Sequence, residues 1–464
     1  MKQDLLFSLR QGQPLSNREQ IQLIIRLSLP AIMAQLSSII MQYIDASMVG
    51  ALGADRSAAI GLVSSSTWLI NGLLSAVVTG FTVQVAQRIG AGEEKKARDL
   101  MRVGFLASVG IAILLLFAGV WLAPVLPDLL GGEGSVLVDA YRYFLIYALS
   151  LPIFQVCHTA SGMLQASGNM RAPSILHIIA CLLDVVFNFL FIFPTRQIGS
   201  VTVWGAGLGV AGAALGTLAA HVVIAFPMLY FLLVRSPWLR LRRGEKWQIK
   251  GSYIKEGIRI AWPMALQQAV TNGAQIVSTS IVAPLGNIAI AANSFAVTAE
   301  SVAYMPAFGI AAAATTLIGQ SVGARRADLT RKLGWLTLWF GMGLMVVVGG
   351  LLYLAAPFMM RLLSPDMQVV ALGTQVLRME AFVEPLYGAS IIATGVFRGA
   401  GDTAVSSLFN FLSMWAIRLP LAAVLAPRVG LRGVWIAMAI ELTVRGILFL
   451  IRMKGRKWHA RILA

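Results

Sequence analysis

The chain repeats itself at a fixed offset of 233 residues, and the repeated segments are apolar stretches long enough to cross a bilayer. Pro30 returns as Pro263, Gln35 as Gln268, Gln42 as Gln275 and Gly53 as Gly286. The same shift carries Gln87 to Gln320, Gly90 to Gly323 and Gly168 to Gly401. A helix of about 20 apolar residues spans the hydrocarbon core. Twelve candidate spans occur, at 21–50, 57–87, 99–123, 136–165, 171–193, 205–234, 254–284, 288–320, 329–357, 367–397, 404–426 and 430–453. The repeat divides them six and six. An even number of spans returns the second half to the membrane in the orientation of the first. The halves are therefore expected to be parallel repeats about an axis along the membrane normal, with a binding site between them. Past the fifth span the offset changes: Gly209 and Gly212 correspond to Gly430 and Gly433, a shift of 221, because the first half has a longer loop around 195–204.

Composition agrees with an all-α polytopic membrane protein. Only 12% of the 464 residues are charged and 58% are hydrophobic, against about 25% charged in soluble domains. The formal net charge of +17 gathers in alternate loops, which excludes a nucleic-acid partner. The 2–3 loop carries Arg88, Lys95, Lys96, Arg98 and Arg102, and the 8–9 loop Arg325, Arg326, Arg331 and Lys332. The 6–7 connection carries Arg235, Arg240, Arg242, Arg243, Lys246, Lys250 and Lys255, and the tail Arg452, Lys454, Arg456, Lys457 and Arg461. The 3–4 loop offers only Asp128 and Glu133; the 11–12 loop, with Arg428 and Arg432, is a mild exception. Positive charge concentrates on the cytoplasmic side, so both termini are expected there, with the protein in the plasma (inner) membrane. The expected organisation is a cytoplasmic segment at 1–20, a first lobe at 21–234, a basic linker at 235–253, a second lobe at 254–453 and a basic tail at 454–464. Residues 1–20 lack the pattern of a cleaved signal peptide. Cys157 and Cys181 lie inside apolar spans, and the four histidines are scattered. Neither a disulfide framework, a metal site nor a cofactor is expected.

Polar residues on membrane helices must face protein or a wet cavity, since a charge at the bilayer centre costs about 2.5–3.5 kcal/mol on insertion scales. In the first span Gln35, Ser38, Gln42 and Asp45 share one helix face, and the seventh span repeats it with Gln268, Thr271, Gln275 and Ser278. The stripe is either the lining of a substrate cleft or a hydrogen-bonded seam between helices. One position breaks the symmetry: Asp45 maps to Ser278. The fifth span sets His177, Cys181, Asp184 and Asn188 on one face, with Asp184 and Asn188 one turn apart. Two aspartates sharing a cavity away from water meet the requirement for a site that exchanges a proton or a sodium ion. In the second half the acids within spans are Glu300, Glu380, Glu384 and Glu441. Glu441 precedes Arg445 by four residues and reads as an i, i+4 pair; Arg418 is another cation near these acids. Glu300 has no local cation and is a candidate for the cleft or for structural hydrogen bonding.

Three segments in order carry a family resemblance: DASMVGALG (Asp45–Gly53), ESVAYMPAFGIAAAATTLIGQSVGA (Glu300–Ala324) and FRGAGDT (Phe397–Thr403). With them the chain resembles the MATE (multidrug and toxin extrusion) family over nearly its whole length. The fifteen-residue spacing of Pro30 and Asp45 is similar to that of the DinF-like branch. The resemblance implies a V of two six-helix lobes, functional as a monomer. It implies uptake of H+ or Na+ that drives release of an organic cation or amphiphilic drug, with Asp45 as the coupling acid and Pro30 as a hinge. Many relatives read Asn-x-x-x-Asp in the fifth span, whereas here Asp184 comes first and Asn188 second.

The function expected is a secondary antiporter, not an enzyme: ion coupling at Asp45, Asp184 and Asn188, and a cleft lined by Gln35, Ser38, Gln42, Gln268, Thr271, Gln275, Ser278 and Glu300. The alternative on the same scaffold is a flippase for a lipid-linked saccharide, which would line its cleft with arginines for pyrophosphate. An intramembrane prenyl transferase is disfavoured, because Asp184 lacks the acid cluster that metal pyrophosphates need.

Overall fold

A computed structural model describes residues 5–10, 13, 15–198, 201–455 and 458. The expected basic tail positions Arg456, Lys457 and Arg461 lie outside the described residues, as does the start of the expected N-terminal segment. In chain order the elements are α1 (Leu5–Arg10), α2 (Asn17–Gly50), α3 (Ala54–Gly90), α4 (Glu94–Leu122), α5 (Leu126–Leu129), α6 (Gly134–Ala166) and α7 (Arg171–Ile192). Next come the strands β1 (Pro194–Ile198) and β2 (Val201–Ala206), then α8 (Val210–Tyr230), α9 (Gly251–Val282), α10 (Asn287–Gly323) and α11 (Ala327–Leu363). The chain continues with α12 (Met367–Ala381), α13 (Glu384–Ala400), α14 (Thr403–Leu412), α15 (Leu419–Val429) and α16 (Leu431–Lys454). A π-helical turn, Phe231–Arg235, extends α8, and another, Ser413–Arg418, joins α14 to α15.

Each of the twelve expected spans is mostly helix, although the sixth, expected from 205, begins only at Val210 because Gly205 and Ala206 belong to β2. Ten among the described residues are long and apolar enough to cross a membrane by themselves. The other two are α9, whose first turns carry Lys255, Glu256 and Arg259, and the α12–α13 pair, which is interrupted at Phe382–Val383. The interruption has a local cause: Pro385 has no N–H to give to the preceding turn, so the helix restarts at Glu384. The long 5–6 connection is not a plain loop. Its strands pair antiparallel, with Arg196 opposite Val203 and Ile198 opposite Val201.

By packing, the described residues form two compact units. One comprises Ser37–Val85 and Glu93–Ala261; the other comprises the residues up to Leu36, Ala86–Gly92 and those from Trp262 onward. Helices α2 and α9 therefore each divide between the units, at Leu36/Ser37 and at Ala261/Trp262. In the first unit the opening turns of α9 lie against α3, with Gly257 at Gly80. In the second, the early part of α2 lies against α10, with Ile32 at Gly309.

The cores show why small residues recur. In the second unit α10 buries a stripe of Ala289, Ala292, Ala296, Ala299 and Ala303 against Leu352, Met360 and Trp435. Small side chains let helix backbones approach in lipid, where no hydrophobic force drives helices together. The core of the first unit gathers Val63, Leu74, Phe144, Tyr147 and Leu151. Large apolar side chains on the outer faces, among them Trp121, Phe226, Leu354 and Phe358, are exposed, as contact with acyl chains requires.

Candidate functional site

The first unit joins three of the expected residues. The Asn188 amide donates from Nδ2 to Asp45 Oδ1 at 2.8 Å and to Asp184 Oδ2 at 3.0 Å. A primary amide has two N–H donors, and both are directed at carboxyl groups. Helix α2 supplies Asp45; α7 supplies Asp184 and Asn188, whose four-residue spacing places them one turn apart on one face. Asp184 and Asn188 are buried and Asp45 is half-buried. Asp184 Oδ1 and Asn188 Oδ1 are buried without a hydrogen-bond partner. One acidic and one neutral oxygen, from residues one turn apart, thus lack a donor, and oxygen is the ligand type that a hard cation prefers.

Helix α8 completes the enclosure in a way the residue pattern did not single out. Asn188 Oδ1 lies over Gly216, where a Cβ would collide with it. Thr217, the next residue, hydrogen-bonds Ala213 O at 3.1 Å and also reaches the Asp184 carboxyl. Tyr143 of α6 stands within electrostatic range of both Asp45 and Asp184. The sequence places Gly216 in a row of glycines that reads as close helix packing; the packing is present, and its contact includes the Asn188 side chain. Ser38 reaches Cys181 on α7, so the stripe of α2 continues along the same helix pair. Gln42 is exposed, whereas Gln35 and Pro30 belong to the part of α2 that packs with the second unit.

The repeated stripe on α9 meets different neighbours. Gln275 and Ser278 border a polar recess in the second unit together with Asn293, Arg418 and Trp435. Trp435 Nε1 donates to Asn293 Oδ1 at 3.0 Å. Gln268 and Thr271 lie earlier on α9, half-buried, and do not line that recess. Glu300 is buried on α10 within electrostatic range of Arg418 and Arg445. Glu441 and Arg445 pair as expected, with Arg445 Nε 2.9 Å from Glu441 Oε1 and Nη2 3.0 Å from Oε2. Arg445 Nη1 also donates to Asn410 Oδ1 at 3.3 Å. The carboxyl oxygens of Glu380 and Glu384 are buried without hydrogen-bond partners.

An acid pair held by an amide inside a duplicated bundle of membrane-length helices is the architecture of a multi-pass membrane transporter. The chain belongs to the MatE family, whose model matches residues 30–190 and 263–424, and members of that family are transporters and not enzymes. The chain is 28% identical over 454 residues to a probable multidrug resistance protein NorM of Thermotoga maritima, covering 94% of this chain and 93% of that one. It is 24% identical over 441 residues to the multidrug resistance protein MdtK of Edwardsiella ictaluri, covering 93% and 94%. Its fold superposes on a MATE protein crystallised in complex with MaL6 with a TM-score of 0.89 at 20% identity, covering 98% of this chain and 100% of the other. It also matches a MOP superfamily transporter from Pyrococcus furiosus, described as having a binding pocket of reversed polarity, with a TM-score of 0.88 at 20% identity over 100% and 99% of the chains.

The family match refines the repeat. Its two segments begin at Pro30 and Pro263, offset by 233, and end at 190 and 424, offset by 234. A π-helical turn is a local irregularity of a helix, and Ser413–Arg418 is such a turn in the matching part of the second copy, with Arg418 at its end. The first unit sets Asp45 near Asp184; the second sets Ser278 near Arg418.

Proposed function

We propose that the protein is a secondary antiporter that expels cationic or amphiphilic organic compounds in exchange for H+ or Na+, with the coupling ion held at Asp45, Asp184 and Asn188. The observation that carries this reading is the Asn188 amide bridging two acids on different helices. Such a group binds a small cation by changing few contacts, because one carboxyl oxygen and the amide oxygen are already unpartnered. The names of the relatives, multidrug resistance proteins NorM and MdtK, support the cargo class. In this reading the repeat halves, 21–234 and 254–453, alternate access, Pro30 acts as a hinge in α2, and the stripes from Gln35 to Gln42 and from Gln268 to Ser278, with Glu300, contact cargo. The protein acts as a monomer in the inner membrane, with both termini cytoplasmic.

The test is efflux of a cationic dye from proteoliposomes under an imposed pH gradient and then under a sodium gradient. Wild-type protein is expected to move dye with one of them, and Asp45→Asn to abolish the movement. Dye flux that ignores both gradients and is equal in the two proteins sinks the proposal. A second reading, a flippase for a lipid-linked saccharide, is favoured by one observation: Arg418 borders the polar recess of the second unit. Against it, Arg418 stands in the field of the buried Glu300 and Glu380, so its charge is not free for a pyrophosphate. Protection of a lipid-linked saccharide from a leaflet-impermeant probe, lost in Arg418→Gln, would favour it.

A further inference from the structure

The segment joining α8 to α9 does more than connect two helices. It folds back on the end of α8: Leu239 is fully buried, its N–H donates to Ser236 Oγ at 3.2 Å, and Leu241 N–H donates to Leu233 O at 2.9 Å. Between Ser236 and Lys250 the sole acid is Glu245. Arg98 of α4 grips both of its oxygens, Nε to Oε2 at 2.9 Å and Nη2 to Oε1 at 2.7 Å. Arg102 adds a contact at 3.4 Å. The Arg98 guanidinium holds the Glu245 carboxyl below the ordinary glutamate range. Arg242 is taken by Glu94 at 2.7 Å.

What remains outward is cationic and apolar. Arg240, Arg243, Lys246 and Lys250 are exposed and enter no ion pair among the described residues. Leu241, Trp247 and Ile249 alternate with them at 49%, 53% and 63% exposure. The segment follows directly on the membrane-length helix α8 at Arg235 and leads into the polar first turns of α9, with Lys255, Glu256 and Arg259, so it adjoins the polar ends of both helices. A polybasic stretch beside a membrane helix attracts anionic headgroups. Tryptophan and aliphatic side chains among basic residues settle at the boundary between headgroups and acyl chains.

We propose that residues 240–250 are a docking strap for anionic phospholipid. Headgroup phosphates are bound by Arg240, Arg243, Lys246 and Lys250 while Leu241, Trp247 and Ile249 enter the interface. The Arg98–Glu245 clamp serves this role by turning the segment's one negative charge away from the lipid. The proposal is independent of the cargo and of the coupling ion.

The test uses the full chain in nanodiscs, with Ile249→Cys carrying an environment-sensitive dye and Cys157 and Cys181 replaced by serine. Phosphatidylcholine discs are compared with discs that also contain phosphatidylglycerol. Quenching of the dye by acrylamide, which is uncharged, is expected to fall several-fold in the phosphatidylglycerol discs, and the protection to vanish at ~1 M salt, where the screening length is about 3 Å. The variant R240Q/R243Q/K246Q/K250Q keeps the Arg242–Glu94 and Arg98–Glu245 pairs. In it the docking equilibrium should drop by several hundred-fold, roughly a factor of ten for each 1.4 kcal/mol at about 1 kcal/mol per basic residue. Equal quenching in the two kinds of disc overturns the proposal, and so does phosphatidylglycerol protection that survives in the four-residue variant.

Discussion

At the scale of single residues, the site is governed by how few contacts hold Asn188 in place. Its two amide hydrogens are both used on carboxyl groups, and its buried oxygen packs on Gly216. Asp45, Asp184 and Asn188 stand out in the sequence because each is polar within an apolar span. Gly216 does not, because its importance lies in an atom it lacks. Placing a methyl group there meets the amide oxygen and the Asn188 backbone nitrogen, so the amide must turn and lose at least one hydrogen bond to a carboxyl group, a loss of about 1.5 kcal/mol. Gly216→Ala is therefore expected to lower the melting temperature in detergent and to change the ion concentration for half-maximal dye efflux about tenfold. Efflux indistinguishable from wild type would mean that the amide is not held by this contact. Gly216→Ser should be no better, since its Cβ meets the same oxygen.

At the scale of elements, the repeat predicts matching contacts, and two helix ends supply them. Gly90, in the last turn of α3, meets the backbone carbonyl of Gln320; Gly323, in the last turn of α10, meets that of Gln87. Each glycine thus packs on the repeat counterpart of the glutamine in its own helix. The identities at 87/320 and 90/323 are plain in the sequence, but their mutual contact is not, since a repeat specifies likeness and not adjacency. For the same reason the division of α2 and α9 between packing units is not written in the repeat, since the offset says nothing of which neighbours each half-helix meets. Gly323→Val drives a branched side chain into the Gln87 carbonyl. Overpacking of this kind costs about 1–3 kcal/mol, so the melting temperature in detergent should fall, and Gly90→Val should reproduce the fall. A melting temperature equal to wild type in both variants would refute the reciprocal contact. The 6–7 strap makes a prediction of the opposite kind, set by charge. Glu245 is held by Arg98 below its ordinary value, so its contribution to anchoring is complete above the unfolded glutamate pKa of about 4.3. It is lost only as pH falls through the lower folded value. Hydrogen exchange at 238–247, corrected for the intrinsic rate, should remain slow to below pH ~4.3, and Glu245→Gln should exchange rapidly at neutral pH. Loss of protection in wild type well above that pH would show that Arg98 does not stabilise the carboxylate.

At the scale of the whole molecule, duplication has kept the scaffold and divided the charge. The sequence discloses the first step, Asp45 against Ser278, because the offset of 233 is constant across the opening spans. It hides the second, Asp184 near Asp45 in one unit and Arg418 near Ser278 in the other, because closeness in space is not written in an offset. The consequence is that an acid at position 278 would not recreate the first-half site. Beside Asp184 and Asn188, Asp45 meets an amide and another acid; beside Arg418, an aspartate at 278 would meet a cation and form an ion pair. A pair of that sort, half removed from water, holds its charge and does not exchange it readily for a proton or sodium ion. Two outcomes follow for gradient-driven dye efflux in proteoliposomes. Ser278→Asp alone should leave the ion requirement as in wild type, and the double variant Asp45→Asn/Ser278→Asp should remain as inactive as Asp45→Asn. Adding Arg418→Asn to the double variant removes the cation and places an amide near position 278. If partial coupling returns only in that triple variant, the opposite charge of the two halves is what confines the ion to the first. If the double variant already recovers, charge at 418 is irrelevant and the asymmetry between the repeats has another cause.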